Sequence, residues 1–198
     1  MSLLALPTYG QFYFDWGSGS NSCSTNNSAG YKKLGNGKTV YISDGAQEYY
    51  SSGYLKKGTL EWGTYLKLGN DKSIYFEDGY EVTFFENGTV KKGKMQYDAY
   101  LRAGNGKTYY ADSDHYVRFY KSGSVRYFTP QYGAYYKTGD GKSVFIGDEN
   151  RVELHKDGTL RSGVLAYGTY LKNFNGSQYL QSGTRIELDQ NGTLIRCS

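Results

Sequence analysis

The chain has 198 residues, which is enough for one substantial hydrophobic core or two small ones. Aromatic residues make up 17% of it, which argues against intrinsic disorder, because disordered chains are poor in aromatics. The net charge of +4 is spread along the sequence without a Lys/Arg block, which argues against a nucleic-acid interface. No apolar run approaches the roughly 18 residues of a membrane-spanning helix. The high counts of Tyr and Gly, 23 and 27, favour strands and tight turns.

Two segments precede the regular part of the chain. Residues 7–13 match residues 130–136 in position and type, and residues 1–7 lack the basic stretch of a signal peptide. Residues 17–30 are rich in Ser, Asn and Gly, which predicts a flexible loop inserted into the first repeat. This loop carries Cys23, one of the two cysteines of the chain.

Three landmarks recur five times and define a repeat of roughly 35 residues. A glycine after a small polar residue marks each copy, with spacings of 35, 35, 35 and 34 residues: Gly53, Gly88, Gly123, Gly158 and Gly192. A Gly-Asn-Gly-like turn begins at residues 35, 69, 104, 139 and 174, and an aromatic corner begins at residues 9, 62, 97, 132 and 167. We therefore predict one repeat domain over 1–198, with units of approximately 9–62 (including the loop 17–30), 63–97, 98–132, 133–167 and 168–198, the last completed by 1–8.

Each unit is predicted to contain four short antiparallel strands. In the second unit they cover residues 65–68, 73–76, 81–85 and 89–92, with a Gly-Asn-Asp turn at 69–71 and Asx-Gly turns at 78–79 and 87–88. Asx-Gly turns between apolar runs indicate hairpins, because both central residues of a type I′ turn need a positive φ. The third strand alternates, as in Val82-Thr83-Phe84, whereas the second is apolar on both faces, which predicts cover from both sides.

One such unit cannot bury its own apolar face, so neighbouring units must cover it. Two all-β assemblies satisfy this requirement: a closed five-bladed β-propeller-like ring, and an open or rolled β-meander or solenoid. The ring is favoured, because the N-terminus supplies a segment that the last unit lacks, and closure leaves no open edge strand. A disulfide between Cys23 and Cys197 would agree with closure, and two free thiols are the alternative.

The segment from Glu81 to Met95, EVTFFENGTVKKGKM, resembles bacterial tandem-repeat surface proteins, whose units have the form V-x-F-Y-x-N-G-x-L-K-x-G-x-L. The pattern recurs from Val152 to Leu165 and covers most of the chain. The resemblance implies a surface or secreted repeat protein without a defined activity. In architecture alone, a five-unit ring is similar to the five-bladed propeller lectins of the tachylectin type.

Two repeated features are candidate binding sites. The aromatic corner can stack on the apolar C–H faces of sugars while its Tyr hydroxyls form hydrogen bonds; its members are Trp62, Tyr65, Tyr97, Tyr100, Tyr132, Tyr135, Tyr167 and Tyr170. The same rings are alternatively core between the units. A column of lysines after the Gly-Asn-Gly-like turn can hold acidic or sulfated polymers, or alternatively keeps a strand edge soluble; its candidate ligand-binding members are Lys72, Lys107 and Lys142. A second cationic column contains Lys67, Arg102, Lys137 and Lys172.

These patterns favour a non-catalytic module that recognises glycans or surface polymers multivalently. The alternative is a structural or assembly protein, such as a surface-layer, virion or appendage component that binds copies of itself. The two histidines, His115 and His155, occupy different positions in their units, and no catalytic or metal-binding motif occurs, so we predict no enzyme activity, cofactor or metal. We expect no nucleic-acid partner and no membrane span, and an extracellular or surface location is favoured.

Overall fold

The computed structural model describes residues 27–198, which form twenty β-strands and no helix. The first ten strands are β1 (Gly30–Lys33), β2 (Thr39–Ile42), β3 (Glu48–Tyr49), β4 (Leu55–Thr59), β5 (Thr64–Lys67), β6 (Ser73–Phe76), β7 (Glu81–Phe84), β8 (Val90–Lys94), β9 (Ala99–Arg102) and β10 (Thr108–Ala111). The last ten are β11 (Tyr116–Phe119), β12 (Val125–Phe128), β13 (Ala134–Lys137), β14 (Ser143–Ile146), β15 (Val152–Leu154), β16 (Leu160–Val164), β17 (Thr169–Asn173), β18 (Gly176–Leu180), β19 (Arg185–Leu188) and β20 (Leu194–Cys197).

Each group of four consecutive strands is divided between two layers. The first two strands pair as an antiparallel hairpin, as β5 and β6 do with Tyr65 opposite Tyr75. The last two strands of every unit join one ten-stranded antiparallel sheet in the order β20-β19-β16-β15-β12-β11-β8-β7-β4-β3. Neighbouring units are therefore connected through strand pairs such as β4 with β7, in which Gly58 lies opposite Val82.

The all-β class and the antiparallel pairing predicted from the sequence are confirmed. The closed five-bladed ring is not confirmed, because residues 27–198 contain no closed sheet and the ten-stranded sheet ends in two open edges, β3 and β20. Residues 1–8, which were expected to complete the fifth unit, and Cys23 in the predicted loop lie outside the described residues. The predicted disulfide and the predicted end-to-end exchange therefore stay predictions.

The prediction of a hairpin at Asp78-Gly79 is wrong. β6 and β7 are not neighbours in any sheet, and this turn instead carries the chain from the hairpin layer to the ten-stranded sheet. The Gly79 amide donates to the Leu60 carbonyl of the preceding unit (2.8 Å), so the turn fastens neighbouring units together. Gly79 does have a positive φ, 71°, as an Asx-Gly turn requires.

The hydrophobic core lies between the two layers. The alternating residues that were predicted to face inward are buried, for example Val82 and Phe84 on β7. Hairpin residues such as Phe76 close the core from the other side and lie over glycines of the sheet: a Cβ atom at Gly93 would be 2.6 Å from the Phe76 ring. Gly93 therefore makes room for a large side chain of the facing layer at interior packing density.

Hairpin turns of one unit stack on sheet turns of the next. A Cβ atom at Gly104 in the third hairpin would lie 2.0 Å from the Lys156 carbonyl oxygen. Asn105 Nδ2 donates to the Gly158 carbonyl (3.1 Å), and Asn105 Oδ1 accepts from the Lys107 amide (3.0 Å). The same close approach recurs at Gly35, Gly69 and Gly139. In the last hairpin Phe174 replaces the glycine and is 81% exposed, because no further turn of the described chain covers it.

The outer face of the ten-stranded sheet is charged. Lys57 contacts Glu48 (3.8 Å) and Glu81 (2.7 Å), and Lys92 also contacts Glu81 (3.4 Å). Exposed ion pairs of this kind each contribute at most about 1 kcal/mol. They therefore give this face its polarity more than they stabilise the fold.

Candidate functional site

The predicted aromatic corner lies on the outer face of the hairpin layer. Tyr65 is 69% exposed on β5, and it stands directly opposite Tyr75 on β6. Trp62, which precedes β5, is 57% exposed, and its ring stacks on that of Tyr41 in the hairpin before it. Each hairpin thus presents rings from its own two strands and from the corner that leads into the next hairpin.

These rings form triads that repeat along the layer. In the second unit, the centroid of the Tyr75 ring lies 4.9 Å from that of Tyr65 and 5.9 Å from that of Tyr97. These separations are typical of favourable aromatic pairs. The equivalent groups are Tyr31–Tyr41–Trp62, Tyr100–Tyr110–Tyr132 and Tyr135–Phe145–Tyr167, and the last hairpin carries the pair Tyr170–Tyr179. We call these fourteen rings the aromatic row.

The glycine of the corner explains how the rings come together. A Cβ atom at Gly63 would lie 2.7 Å from the Tyr75 ring, so the glycine gives this ring the room to pack over the backbone of the corner. Gly133 and Gly168 stand in the same relation to Phe145 and Tyr179. The third unit has Asp98 at this position, and its carboxylate instead accepts a hydrogen bond from the Ser113 amide (2.8 Å).

All eight corner rings predicted as candidate ligand-binding residues are exposed: Trp62, Tyr65, Tyr97, Tyr100, Tyr132, Tyr135, Tyr167 and Tyr170. They do not form the buried core between units, which consists of aliphatic residues and of rings on the inner face. Their role in ligand binding stays a prediction.

The sequence prediction missed the middle ring of each triad. Tyr41, Tyr75, Tyr110, Phe145 and Tyr179 lie on the second hairpin strand, whose two apolar faces were taken to indicate cover from both sides. One face is indeed buried in the core, but on the other face the ring packs against neighbouring aromatic rings and, in three units, against the corner glycine. Burial raises the pKa of the Tyr110 hydroxyl, and the nearby Asp98 carboxylate raises it further, so Tyr110 is neutral at physiological pH.

The predicted lysine column lies at the hairpin turns, apart from the ring faces. Lys107 Nζ donates to the Tyr135 carbonyl of the next hairpin (2.8 Å), and Lys142 Nζ donates in the same way to the Tyr170 carbonyl. Two of the three candidate lysines therefore link adjacent hairpins, which is a structural role that sequence spacing alone does not reveal. Lys72 is exposed, and its amide donates to Asn70 Oδ1 (3.2 Å).

The remaining polar candidates are scattered. His115 Nδ1 lies 3.3 Å from Asp112 Oδ2, and His155 Nε2 lies 3.1 Å from the Leu188 carbonyl. No group of three or more His, Cys, Asp or Glu side chains suited to a metal ion occurs in residues 27–198. Cys197 is exposed on β20.

No protein-family model matches this chain, and no curated protein matches it either. The resemblance to bacterial tandem-repeat surface proteins therefore stays a prediction. Within the described part of the chain there is no helix that is long and apolar enough to cross a membrane.

Proposed function

We propose that the protein is a non-catalytic binding module that holds glycans or surface polymers along the aromatic row. The observation that carries this proposal is the exposure of the ring faces in all five hairpins. Tyr and Trp rings bury large apolar areas when they are covered, so a long exposed row of them indicates a surface for a partner.

The chemistry of the row suits sugars. A pyranose ring presents an apolar C–H face that stacks on an aromatic ring, and Tyr hydroxyls can donate to or accept from the sugar hydroxyls around its edge. Paired rings are held by their neighbours and lose little conformational freedom on binding, which lowers the entropic cost of association. The surface is open rather than a deep pocket, which favours an extended polymer over a small isolated molecule.

The repeat makes the binding multivalent. Each unit contributes two strands to the ten-stranded sheet, so successive triads follow one another at about 10 Å, twice the strand spacing of about 4.8 Å. A single polymer chain can therefore contact several triads at once, and its overall affinity exceeds that of one weak site by avidity. This arrangement does not require a closed ring.

The proposal is tested by removing rings in steps and titrating polysaccharides by calorimetry or affinity electrophoresis. We expect Tyr100→Ala with Tyr132→Ala to weaken the binding of a neutral polysaccharide by about 30-fold, because each stacked ring contributes on the order of 1 kcal/mol. Adding Tyr65→Ala and Tyr97→Ala should weaken it further, because avidity multiplies the losses. These rings are exposed, so the fold should be retained.

The matched control is the double substitution Tyr80→Ala with Tyr116→Ala. These two rings form an edge-on pair at 6.3 Å on the other layer, where Lys94 and Lys92 lie over them. The control chain should bind the polysaccharide as the parent does. Absence of any binding across a set of neutral and acidic polysaccharides, or equal losses in the two double variants, would overturn the proposal.

A second candidate function, assembly with copies of the same chain, is favoured by β20, which among residues 27–198 is paired with a strand on one side only. This edge strand exposes Ile195, which is 54% accessible, beside the exposed ring of Phe174. An open edge strand with apolar side chains is a template for pairing with another chain. Light scattering at increasing protein concentration tests this function: growing oligomers that disappear in Ile195→Lys support it, and a monomer at every concentration contradicts it.

A further inference from the structure

A row of cations follows the bulges of the ten-stranded sheet. In each unit the register between the last two strands shifts by one residue, and the bulged residue in the first four units is Lys56, Lys91, Arg126 and Arg161. A β-bulge takes its side chain out of the regular alternation of the strand. Lys56 pairs with Glu48 (2.9 Å), whereas Arg126 and Arg161 both contact Glu153 (3.0 and 3.5 Å). Within residues 27–198, Lys91 has no carboxylate partner.

Lys91 borders a cavity of about 510 Å³ that is lined by residues of the second, third and fourth units. The cavity is lined by the aromatic residues Phe85, Phe119 and Tyr120 and by four cationic residues: Lys91, Lys121, Arg126 and Lys156. No acidic side chain of residues 27–198 lines this cavity, and Arg126 is the one of these four cations that contacts a carboxylate of the described chain, that of Glu153. Its size is within the range of small-ligand sites.

The cavity coincides with a break in a repeated hydrogen bond. The Tyr50 hydroxyl donates to the Phe84 carbonyl of the next unit, and the Tyr120 hydroxyl donates to the Leu154 carbonyl, both at 2.8 Å. Phe85 holds the equivalent position between these two residues and has no hydroxyl to offer the corresponding carbonyl of Phe119. Within residues 27–198, the Phe119 carbonyl therefore lacks the hydroxyl donor that its equivalents have, and Lys91, Lys121 and Lys156 beside it have no carboxylate partner.

We propose that this cavity binds one acidic sugar residue of a polysaccharide that carries sulfate or carboxylate groups. The anion lies among Lys91, Lys121 and Lys156, the C–H face of the sugar covers Phe85, and a sugar hydroxyl donates to the Phe119 carbonyl. Charge complementarity at such a site contributes mainly to specificity and to the rate of association. The site is separate from the aromatic row and does not depend on it.

The distribution of charge favours an acidic polysaccharide over a nucleic acid. A single-stranded nucleic acid needs a positive groove that follows its backbone over several nucleotides. Here a carboxylate follows the cationic rim on each side along the repeat. Glu86 accepts a hydrogen bond from Ser52, and Asp157 accepts one from Thr159. One concentrated cationic spot matches a ligand whose charge is local.

The test compares two triple variants that lower the net charge equally. Lys91→Gln, Lys121→Gln and Lys156→Gln remove the three lysines of the rim, whereas Arg151→Gln, Arg185→Gln and Arg196→Gln remove three exposed arginines that lie outside the cavity and outside both cationic columns. The probes are dextran sulfate, polygalacturonate and neutral dextran, titrated at low and physiological salt. We expect the rim variant to bind about tenfold more weakly, and with a smaller salt dependence, to whichever acidic polymer the parent binds more tightly. The affinity of the control variant should stay within about twofold of that of the parent.

A second variant, Phe85→Tyr, supplies the missing hydroxyl without changing the charge. It should donate to the Phe119 carbonyl, narrow the cavity and weaken binding of the acidic polymer while the circular dichroism spectrum is unchanged. The proposal is overturned if neither acidic polymer binds, if both triple variants lose affinity equally, if Phe85→Tyr binds as the parent does, or if an oligonucleotide of equal charge binds more tightly than both polymers.

Discussion

The second and third units solve the same packing problem with opposite side-chain sizes. In the second unit the large Phe76 of the hairpin covers Gly93 of the sheet. In the third unit the equivalent positions hold Ala111 on the hairpin and Phe128 on the sheet, and both are fully buried. The first and fourth units follow the second, with Ile42 over Gly58 and Ile146 over Gly163.

This reversal of large and small residues shows what the repeat keeps constant. It is the summed side-chain volume of the two facing positions, and not the residue type at either position. Interiors are close-packed, so a large side chain on one layer requires a small one opposite it. The third and fourth units depart further, because Tyr109 on β10 and Tyr136 on β13 occupy inner hairpin positions that Ile74 and Leu66 hold in the second unit. Their rings stack at 4.6 Å, and the Phe128 ring lies 5.7 Å from Tyr109.

The largest expected effect comes from breaking this reversal in the third unit. Phe128→Ala should lower the free energy of unfolding by about 3–5 kcal/mol, because Ala111 is too small to fill the cavity. Ala111→Ile alone should cost about 1–3 kcal/mol by overpacking. Urea titration of both single variants and of the double variant measures their coupling.

In the double variant the new isoleucine occupies the space that Phe128 vacates, as Ile42 and Ile146 do over their glycines. The double variant should therefore lose less free energy of unfolding than the two single variants lose in sum. Additivity within about 0.5 kcal/mol would mean that the two positions do not share one packing space.

A smaller effect separates the covered hairpin turns from the last one. Gly104→Ala should destabilise the chain by about 1–3 kcal/mol, because the new Cβ would meet the Lys156 carbonyl and the next turn must move away. The φ of Gly104 is not positive, so the effect is steric rather than conformational. Phe174→Ala at the equivalent uncovered position should stay within about 0.5 kcal/mol of the parent. Thermal unfolding of both variants measures the difference, and equal shifts would contradict the stacking of turns.

The sequence predicted local structure well and long-range pairing poorly. Asx-Gly turns and alternating residues such as Val82 and Phe84 located the strands, because both signals depend on neighbours in the chain. The division into two layers was not predictable, because a turn such as Asp78-Gly79 bends the chain in the same way whether or not the strands it joins are paired. The aromatic corner was found by its spacing, but its exposure depends on which face of the hairpin the core covers.

The smallest effect concerns the stacked tyrosines of the third and fourth hairpins. The hydroxyls of Tyr109 and Tyr136 are buried and have no hydrogen-bond partner within the described structure. Tyr136→Phe should therefore stabilise the chain by about 1 kcal/mol, because it removes an unsatisfied buried polar group. Tyr120→Phe is the matched control, since it removes a hydroxyl that donates to the Leu154 carbonyl, and it should destabilise by a similar amount.

The same two hydroxyls make the free energy of unfolding depend on pH. Burial raises the pKa of Tyr109 to about 12 and raises that of Tyr136 as well, so the folded chain favours their neutral forms. The resulting stability is fully present below the ordinary tyrosine pKa of about 10 and is lost as the pH rises through the folded values. The urea midpoint should decrease between neutral pH and a pH above the ordinary tyrosine pKa. This decrease should be smaller in the double variant Tyr109→Phe with Tyr136→Phe than in the parent. Equal alkaline losses in the two chains would place the titrating groups elsewhere in the molecule.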